Sequence, residues 1–429
     1  MKVLVIGGGG REHALCWAIR RSARVSEVVC APGNGGIASV ARCVAVDQKD
    51  LSDLLRVVES ERPDLTVVGP ELPLALGLVD AMMERGLRVF GPTREAAMLE
   101  TSKGYAKRFM QRHTIPTAAY AVCESRQVAQ ESLEMFHLPV VIKADGLAGG
   151  KGVLICEDKD AAEQAIADLF SGQLLGSAEK NVVIEEHLTG EELSLLVLSD
   201  GKHAVPLVPA QDHKRIGEGD TGPNTGGMGA YSTDTMLDAQ MGEWILHHIA
   251  QKAVDGMAAE ETPFVGVLYC GLMMTAKGPM VLEFNARFGD PETQAILPRL
   301  ESDLVDALEA CVEGRLSETS FRWTAGASAC VVAASAGYPG TYETGKLIAG
   351  LEEAARVPGV EVFHAGTMLE GGQFRTNGGR VLGVTAAGDT LEEALGSVYE
   401  AMGRISFEGM VYRRDIGHRA LEGRAPGKS

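Results

Sequence analysis

Four stretches of the chain carry residue types and spacings that could do chemistry. In VLEFNARFGDPETQ (281–294), a strand would place Glu283, Asn285 and Arg287 on one face and turn Leu282, Phe284 and Ala286 toward a core. A carboxylate, an amide oxygen and a guanidinium aimed at one spot suit Mg²⁺ held together with phosphates. A Glu283–Arg287 salt bridge on an exposed strand is the plainer alternative, and Asp290 and Glu292 just beyond weaken it. DGLAGGKGV (145–153) imitates a Walker loop, but that spacing needs Gly at 145 and Ser or Thr at 152, where Asp145 and Gly152 stand. GRAPGKS (423–429) is one residue short of the same spacing. A glycine-rich hairpin over 146–152, edged by Lys143 and Lys151, could still fold over phosphates and exclude water.

GGGGREHAL (7–15) opens like a dinucleotide fingerprint, yet its third glycine position is Glu12. Ala31-Pro32-Gly33 follows the second strand where an acidic residue would hold a ribose, which disfavours a nicotinamide cofactor. An anion site at a helix N-terminus remains, against the plainer reading of a tight turn. QDHKRIGEGDTGPNTGGMGAY (211–231) holds six glycines and charges of both signs. A loop of that length within a globular chain reads as functional.

The elements that must position these residues follow from periodicity. KVLVI (2–6), SEVVCA (26–31), LTVVG (65–69) and LRVFG (87–91) alternate with helical patterns from about 11 and near 75–85. That alternation predicts a doubly wound parallel sheet with one ligand site off the carboxyl ends of its strands. The turns GGGGREH, APGNGG and GPE would share that site. A second unit begins at LPVVIKAD (138–145) and runs through KGVLIC, a helix at 159–171 and VVIEEHL (182–188). A helix at 237–256 and a hairpin of 264–275 with 280–288 complete it, and ASACVVAASA near 325 opens a third unit.

With 429 residues, two to four domains are expected. The net charge of −18 argues against a nucleic-acid partner but not against local phosphate sites. Eight scattered cysteines without a CxxC read as core residues of a reducing cytoplasm, and no apolar run approaches a membrane span.

Together these stretches resemble the ATP-grasp superfamily and, within it, the glycinamide ribonucleotide synthetase family. The likeness runs from GGREHAL through PGN, VGPE, IKADGLAGGKGV, IEEHLTGEE, QDHKR and DTGPNTGGMGAYS to RFGDPETQ, TNGGRVL and RRDIG. It implies an α/β protein with an N-terminal doubly wound domain (1–102), an ATP-grasp domain of two α+β subdomains (107–314, lid about 121–189) and a small C-terminal α/β domain (325–429). The implied reaction joins glycine to 5-phosphoribosylamine in de novo purine biosynthesis, releasing ADP and phosphate through a glycyl phosphate. A different ATP-grasp carboxylate–amine ligase of purine metabolism is the alternative, and a non-catalytic nucleotide-binding protein is a more distant one.

The resemblance also assigns residues. Lys103 and Lys143 would reach the nucleotide phosphates, with Gly149, Gly150 and Lys151 in the lid hairpin. Glu185, Glu186 and Leu188 would border adenine, and Glu192 the ribose hydroxyls. Glu283 and Asn285 would bind Mg²⁺ or Mn²⁺, and Arg287, Lys143 and Asp290 would serve catalysis. Gly9, Gly10, Arg11, Glu12, His13, Gly33, Asn34, Glu71, Asp212, Lys214, Asn224 and Thr225 would enclose glycine and the phosphoribosylamine. A cytoplasmic monomer with no membrane partner is expected.

Overall fold

The β-branched runs of the first hundred residues pair as a parallel sheet in the order Arg42–Cys43, Glu27–Pro32, Lys2–Gly7, Leu65–Val68, Val89–Phe90. The structure is a computed structural model and describes residues 1–148, 152–174, 176 and 178–422. Val3 to Ile6 are fully buried because the central strand is covered on both faces, which explains its uninterrupted apolar run. The helix Gly10–Arg20 starts immediately after that strand. Its first turn is satisfied by Glu12, whose carboxylate accepts the Gly9 N–H at 2.6 Å. The three polar turns pack closely enough to exclude side chains. A Cβ on Gly8 would lie 2.5 Å from the Gly33 carbonyl oxygen, and one on Gly69 would lie 2.2 Å from Glu12 Oε1.

The lid subdomain is an antiparallel sheet ordered Tyr120–Cys123, Val182–Glu186, Val140–Ala144, Val153–Cys156. Helices Arg126–Leu133 and Lys159–Ser171 contribute to its separate apolar core. The second ATP-grasp sheet, Ala204–Pro206, Glu191–Asp200, Val265–Thr275 and Gly278–Asn285, is also antiparallel. Its Leu195 and Leu268 share one core with Leu4 and Ile6 of the N-terminal sheet, so the two units are packed as one body.

A third sheet is ordered Gln211–Asp212, Gly229–Thr233, Ala327–Ser335, Arg380–Gly388, Val360–His364, with Met410–Val411 also paired to Ala327–Ser335. The C-terminal unit therefore completes its sheet with two strands from 211–233. The α/β architecture of N-terminal domain, two-subdomain ATP-grasp body and C-terminal domain is as the sequence leads one to expect. The stretch 211–231 is not one loop, however. It contains the further short hairpin Arg215–Gly217 with Thr221–Asn224. The predicted helix 237–256 is three segments, Ala239–Ile245, a π-helical turn Leu246–Ala250, and Gln251–Ala259. Seven cysteines are buried and Cys43 is exposed, against its core reading. Among the described residues no helix is long and apolar enough to cross a membrane.

Candidate active site

A cavity of about 690 Å³ opens where the N-terminal turns, both ATP-grasp subdomains and the C-terminal sheet meet. Arg11 and Glu71 line it from the N-terminal turns, Lys103, Lys143 and Glu283 from the ATP-grasp body, and Arg380 from the C-terminal sheet.

Glu283 and Asn285 end one strand, with Asn285 Nδ2 3.4 Å from Glu283 Oε1. Burial alone would raise the Glu283 carboxyl, but Lys214, Lys103, Lys143 and the Asn285 hydrogen bond bring it down to about 2. It is therefore ionised at neutral pH. One carboxylate and one amide oxygen are the sparse hard-oxygen set on which Mg²⁺ relies when phosphates and water complete its shell. The donor chemistry fits a divalent metal. Among the described residues no cluster of three or more His, Cys, Asp or Glu forms a metal cage, so substrate oxygens would have to supply the rest.

The expected strand alternation fails at two points. The pairing slips between Gly271 and Leu272, so Leu272 faces Val281 while Gly271 faces Glu283, leaving Leu282 as an extra residue. Val281 takes the core position, and Leu282 turns to the cavity while its carbonyl accepts from Lys143 Nζ at 3.2 Å. Arg287 lies beyond the strand, which stops at Asn285. It reaches the cavity through two carboxylates instead, Glu100 at 3.0 Å and Glu71 at 3.4 Å. Burial opposes its charge, but Glu100, Glu71 and Glu292 hold the guanidinium firmly protonated.

Lys143 and a second lysine, Lys107, share one oxygen of Glu185, at 2.9 and 2.8 Å. Burial pulls Lys107 down to about 8 despite Glu185, and Lys143 adds to the fall. Burial would raise Glu185, but Lys143 and Lys107 outweigh it and keep the carboxyl below its usual range. Its side chain thus works as a buried anchor between two cations. Lys103 Nζ is directed to the Gly146 carbonyl at 3.4 Å at the start of the lid hairpin. Glu186 and Leu188 line the cavity beyond it, and Glu192 pairs with Lys214 at 2.7 Å. Gly149, Gly150 and Lys151 lie outside the described residues.

Around the N-terminal turns, several predicted site residues use their side chains to build the turn. Asn34 donates to the carbonyls of Gly8 and His364 and accepts from the amides of Gly36 and Ile37. His13 accepts the His364 amide at 2.8 Å and is pushed down to about 3 by burial and by His364. Glu12 also pairs with Arg11 Nε at 2.6 Å. The Gly9–Gly10 turn is closely packed: a Cβ on Gly9 would stand 2.9 Å from Glu12 Oε2 and one on Gly10 2.5 Å from Gln294 Nε2, while Asp290 Oδ2 accepts the Arg11 amide at 3.1 Å. Gly33, at φ +72°, packs against Cys43. Thr225 holds the loop by donating to the Lys214 carbonyl at 2.8 Å, and Asn224 lines the cavity.

Four residues at the site carry little local signal in the sequence. Lys107 hides in the basic pattern TSKGYAKRFMQRH, where it looks like one more solvated lysine. Arg380 donates to the Asp290 carbonyl at 2.7 Å and faces the Asp290 carboxylate at 3.5 Å; its only signal was the TNGGRVL match. Tyr269 and Ser194, which surround Glu292, sit in plainly apolar strands.

A parallel N-terminal sheet, two antiparallel sheets and a lysine- and carboxylate-lined cleft between them define the ATP-grasp class. Family models agree and divide the chain into three: phosphoribosylglycinamide synthetase N domain over residues 1–100, ATP-grasp (A) domain over 101–293 and C domain over 328–419. The phosphoribosylamine–glycine ligase of Xanthomonas axonopodis pv. citri is 50% identical over 425 residues, covering 98% of each chain. That of Chlorobaculum tepidum is 50% identical over 98% of this chain and 100% of its own. The crystal structure of phosphoribosylamine–glycine ligase from Thermotoga maritima superposes with a TM-score of 0.85 at 36% identity, covering 97% of this chain and 100% of that one. The chain belongs to the phosphoribosylglycinamide synthetase family.

Proposed function

We propose that this cavity activates glycine as an acyl phosphate and passes it to the amine of 5-phosphoribosylamine. The protein is an ATP-dependent ligase of purine biosynthesis that yields glycinamide ribonucleotide, ADP and phosphate. A free carboxylate resists attack by an amine because it is an anion without a leaving group. Transfer of the γ-phosphoryl group supplies that leaving group, and the chain's task is positioning and charge neutralisation. Lys103 and Lys143 hold the nucleotide phosphates, while Glu186 and Leu188 border the adenine and Glu192 the ribose. Arg287, held by Glu100 and Glu71, faces the transferring phosphoryl group. Glu283 and Asn285 would hold the metal, Mg²⁺ or Mn²⁺, which when bound would offset the charge of the phosphates.

The phosphoribosylamine enters over the N-terminal turns, with Arg11 toward its phosphate and Asp290 toward its amine. The lid hairpin keeps water from the acyl phosphate. The observation that carries this reading is the Glu283 carboxylate and Asn285 amide in one cavity with Lys103, Lys143, Arg287 and the N-terminal Arg11 and Glu71. The reading includes a cytoplasmic monomer, supported as to compartment by seven buried, unbridged cysteines and testable as to state by sizing. Its test is ADP formation with each substrate omitted in turn. Turnover is expected only with glycine and phosphoribosylamine together, above a slow background; equal rates without them contradict it.

A further inference from the structure

A second cavity, of about 560 Å³, lies between the helix Gly10–Arg20 and the C-terminal unit, and no residue lines both it and the active cavity. One helix serves the two. Arg11 in its first turn lines the active cavity, and Trp17 and Arg21 at its far end line the second, roughly 9–15 Å further along the axis.

Two cations of this second cavity lack a close counter-charge. The Arg21 guanidinium carbon lies 4.6 Å from the Trp17 ring centroid, and among the described residues Arg21 makes no ion pair. Arg356, also lining the cavity, reaches only Glu352, at 4.0 Å and with both side chains largely exposed, a pairing worth little in water. In a chain with a net charge of −18, two such guanidiniums on one cavity mark a place for an anion.

The remaining wall is of another kind. Pro298, Val357 and Ala386 give it apolar surface. Thr385 is fully buried and lines the cavity, and its Oγ1 has no hydrogen-bond partner, with nothing stronger than the Cys330 thiol beside it. Glu361 stands near Trp17 and Arg21, and burial pushes its carboxyl up against their pull.

These features narrow the choice of ligand. Bare phosphate would leave the apolar wall uncovered, and an uncharged aromatic would leave both arginines unpaired. A triphosphate carries more charge than two guanidiniums match. We propose that this cavity binds a nucleoside monophosphate, with its phosphate between Arg21 and Arg356, its base on the Pro298–Val357 wall and an exocyclic amine toward Glu361. Guanidinium forks suit a phosphate dianion, and the cavity falls within the ~300–1,000 Å³ of small-molecule sites. The site stands apart from the ligase reaction, none of whose assigned residues line it.

The test is a calorimetric titration with AMP while the active cavity is filled by Mg²⁺ and a non-hydrolysable ATP analogue. One AMP per chain is expected to bind. Arg21→Ala and Arg356→Ala should each weaken that binding on the order of tenfold, the loss of one charge-assisted contact, and leave ADP formation in the absence of AMP unchanged. Adenosine, without the phosphate, and inorganic phosphate, without the base, should each bind at least ~10-fold more weakly than AMP. No binding of AMP beside the analogue overturns the proposal, as does binding that neither arginine variant alters. Inorganic phosphate binding as tightly as AMP overturns it too, because the cavity is then a bare anion site. If the variants do not fold, the wild-type comparison of AMP with adenosine and phosphate decides alone.

Discussion

At the scale of single residues, buried charges around the cavity are held by their neighbours. Glu283 remains ionised although burial opposes it, because Lys214, Lys103 and Lys143 surround it. Glu283→Ala should therefore lower the rate at least ~10²-fold through lost stabilisation of transferring charge. Asn285→Ala should lose less, since a neutral amide is the weaker ligand. Near-normal rates for both at limiting Mg²⁺ would contradict the metal assignment. Glu185 gives a second check, because one buried oxygen serves both Lys143 and Lys107. Glu185→Gln leaves two lysines without their counter-charge, a change expected to cost ~3–5 kcal/mol of stability in urea titrations and to weaken ATP binding. Stability equal to the wild type would show that the lysines do not depend on it. Residues such as Glu283, Asn285 and Lys143 were legible in the sequence because strand spacing and glycine context marked them. Lys107 and Tyr269 were not, because their importance lies in burial beside partners distant in the chain.

At the scale of elements, short-range pattern located most strands and long-range pairing set what it could not. The run KVLVI became Lys2–Gly7 and the helix expected at 159–171 is Lys159–Ser171. Leu282 was misplaced because a bulge shifts alternation by one residue, and nothing local in LEFN announces it. The strands inside 211–231 were invisible for a related reason: glycine-rich segments acquire strand geometry here only by joining Ala327–Ser335 and each other. The same segment is clasped from the far end of the chain. Arg413, with a side chain 1% exposed, binds Asp220, Asp415 and the Arg215 carbonyl, and Arg419 also binds Asp220. Arg413→Ala should cost about 3 kcal/mol. Hydrogen exchange over 213–224 should rise more than in the N-terminal sheet; uniform exchange across the chain would argue against a specific clasp.

At the scale of the whole molecule, the N- and C-terminal units are joined through buried neutral histidines. His13 and His364 meet at the helix Gly10–Arg20, held down to about 3 and about 4, chiefly by burial. His213, beside the C-terminal segment, is held at about 3 by burial and by Arg413 and Arg419. Unfolded histidines take up protons near pH 6.5, whereas these stay neutral until pH 3 to 4. The unfolded state then binds more protons across that window, so stability is full above pH 6.5 and falls as pH drops through 6.5 toward 4. Thermal unfolding should show a lower Tm at pH 5 than at pH 7.5, and a flat profile would contradict the buried neutral state. The wider architecture brings three units around one cavity, where the proposed phosphoryl transfer and amine attack would occur in succession at one carboxylate. Isotope transfer reads that sequence directly. With glycine labelled by heavy oxygen at both carboxylate positions, the bridging oxygen of the acyl phosphate comes from glycine. Inorganic phosphate released in a single turnover should carry one labelled oxygen while the amide product retains the other; unlabelled phosphate, or pyrophosphate in place of ADP and phosphate, would contradict activation of glycine by γ-phosphoryl transfer.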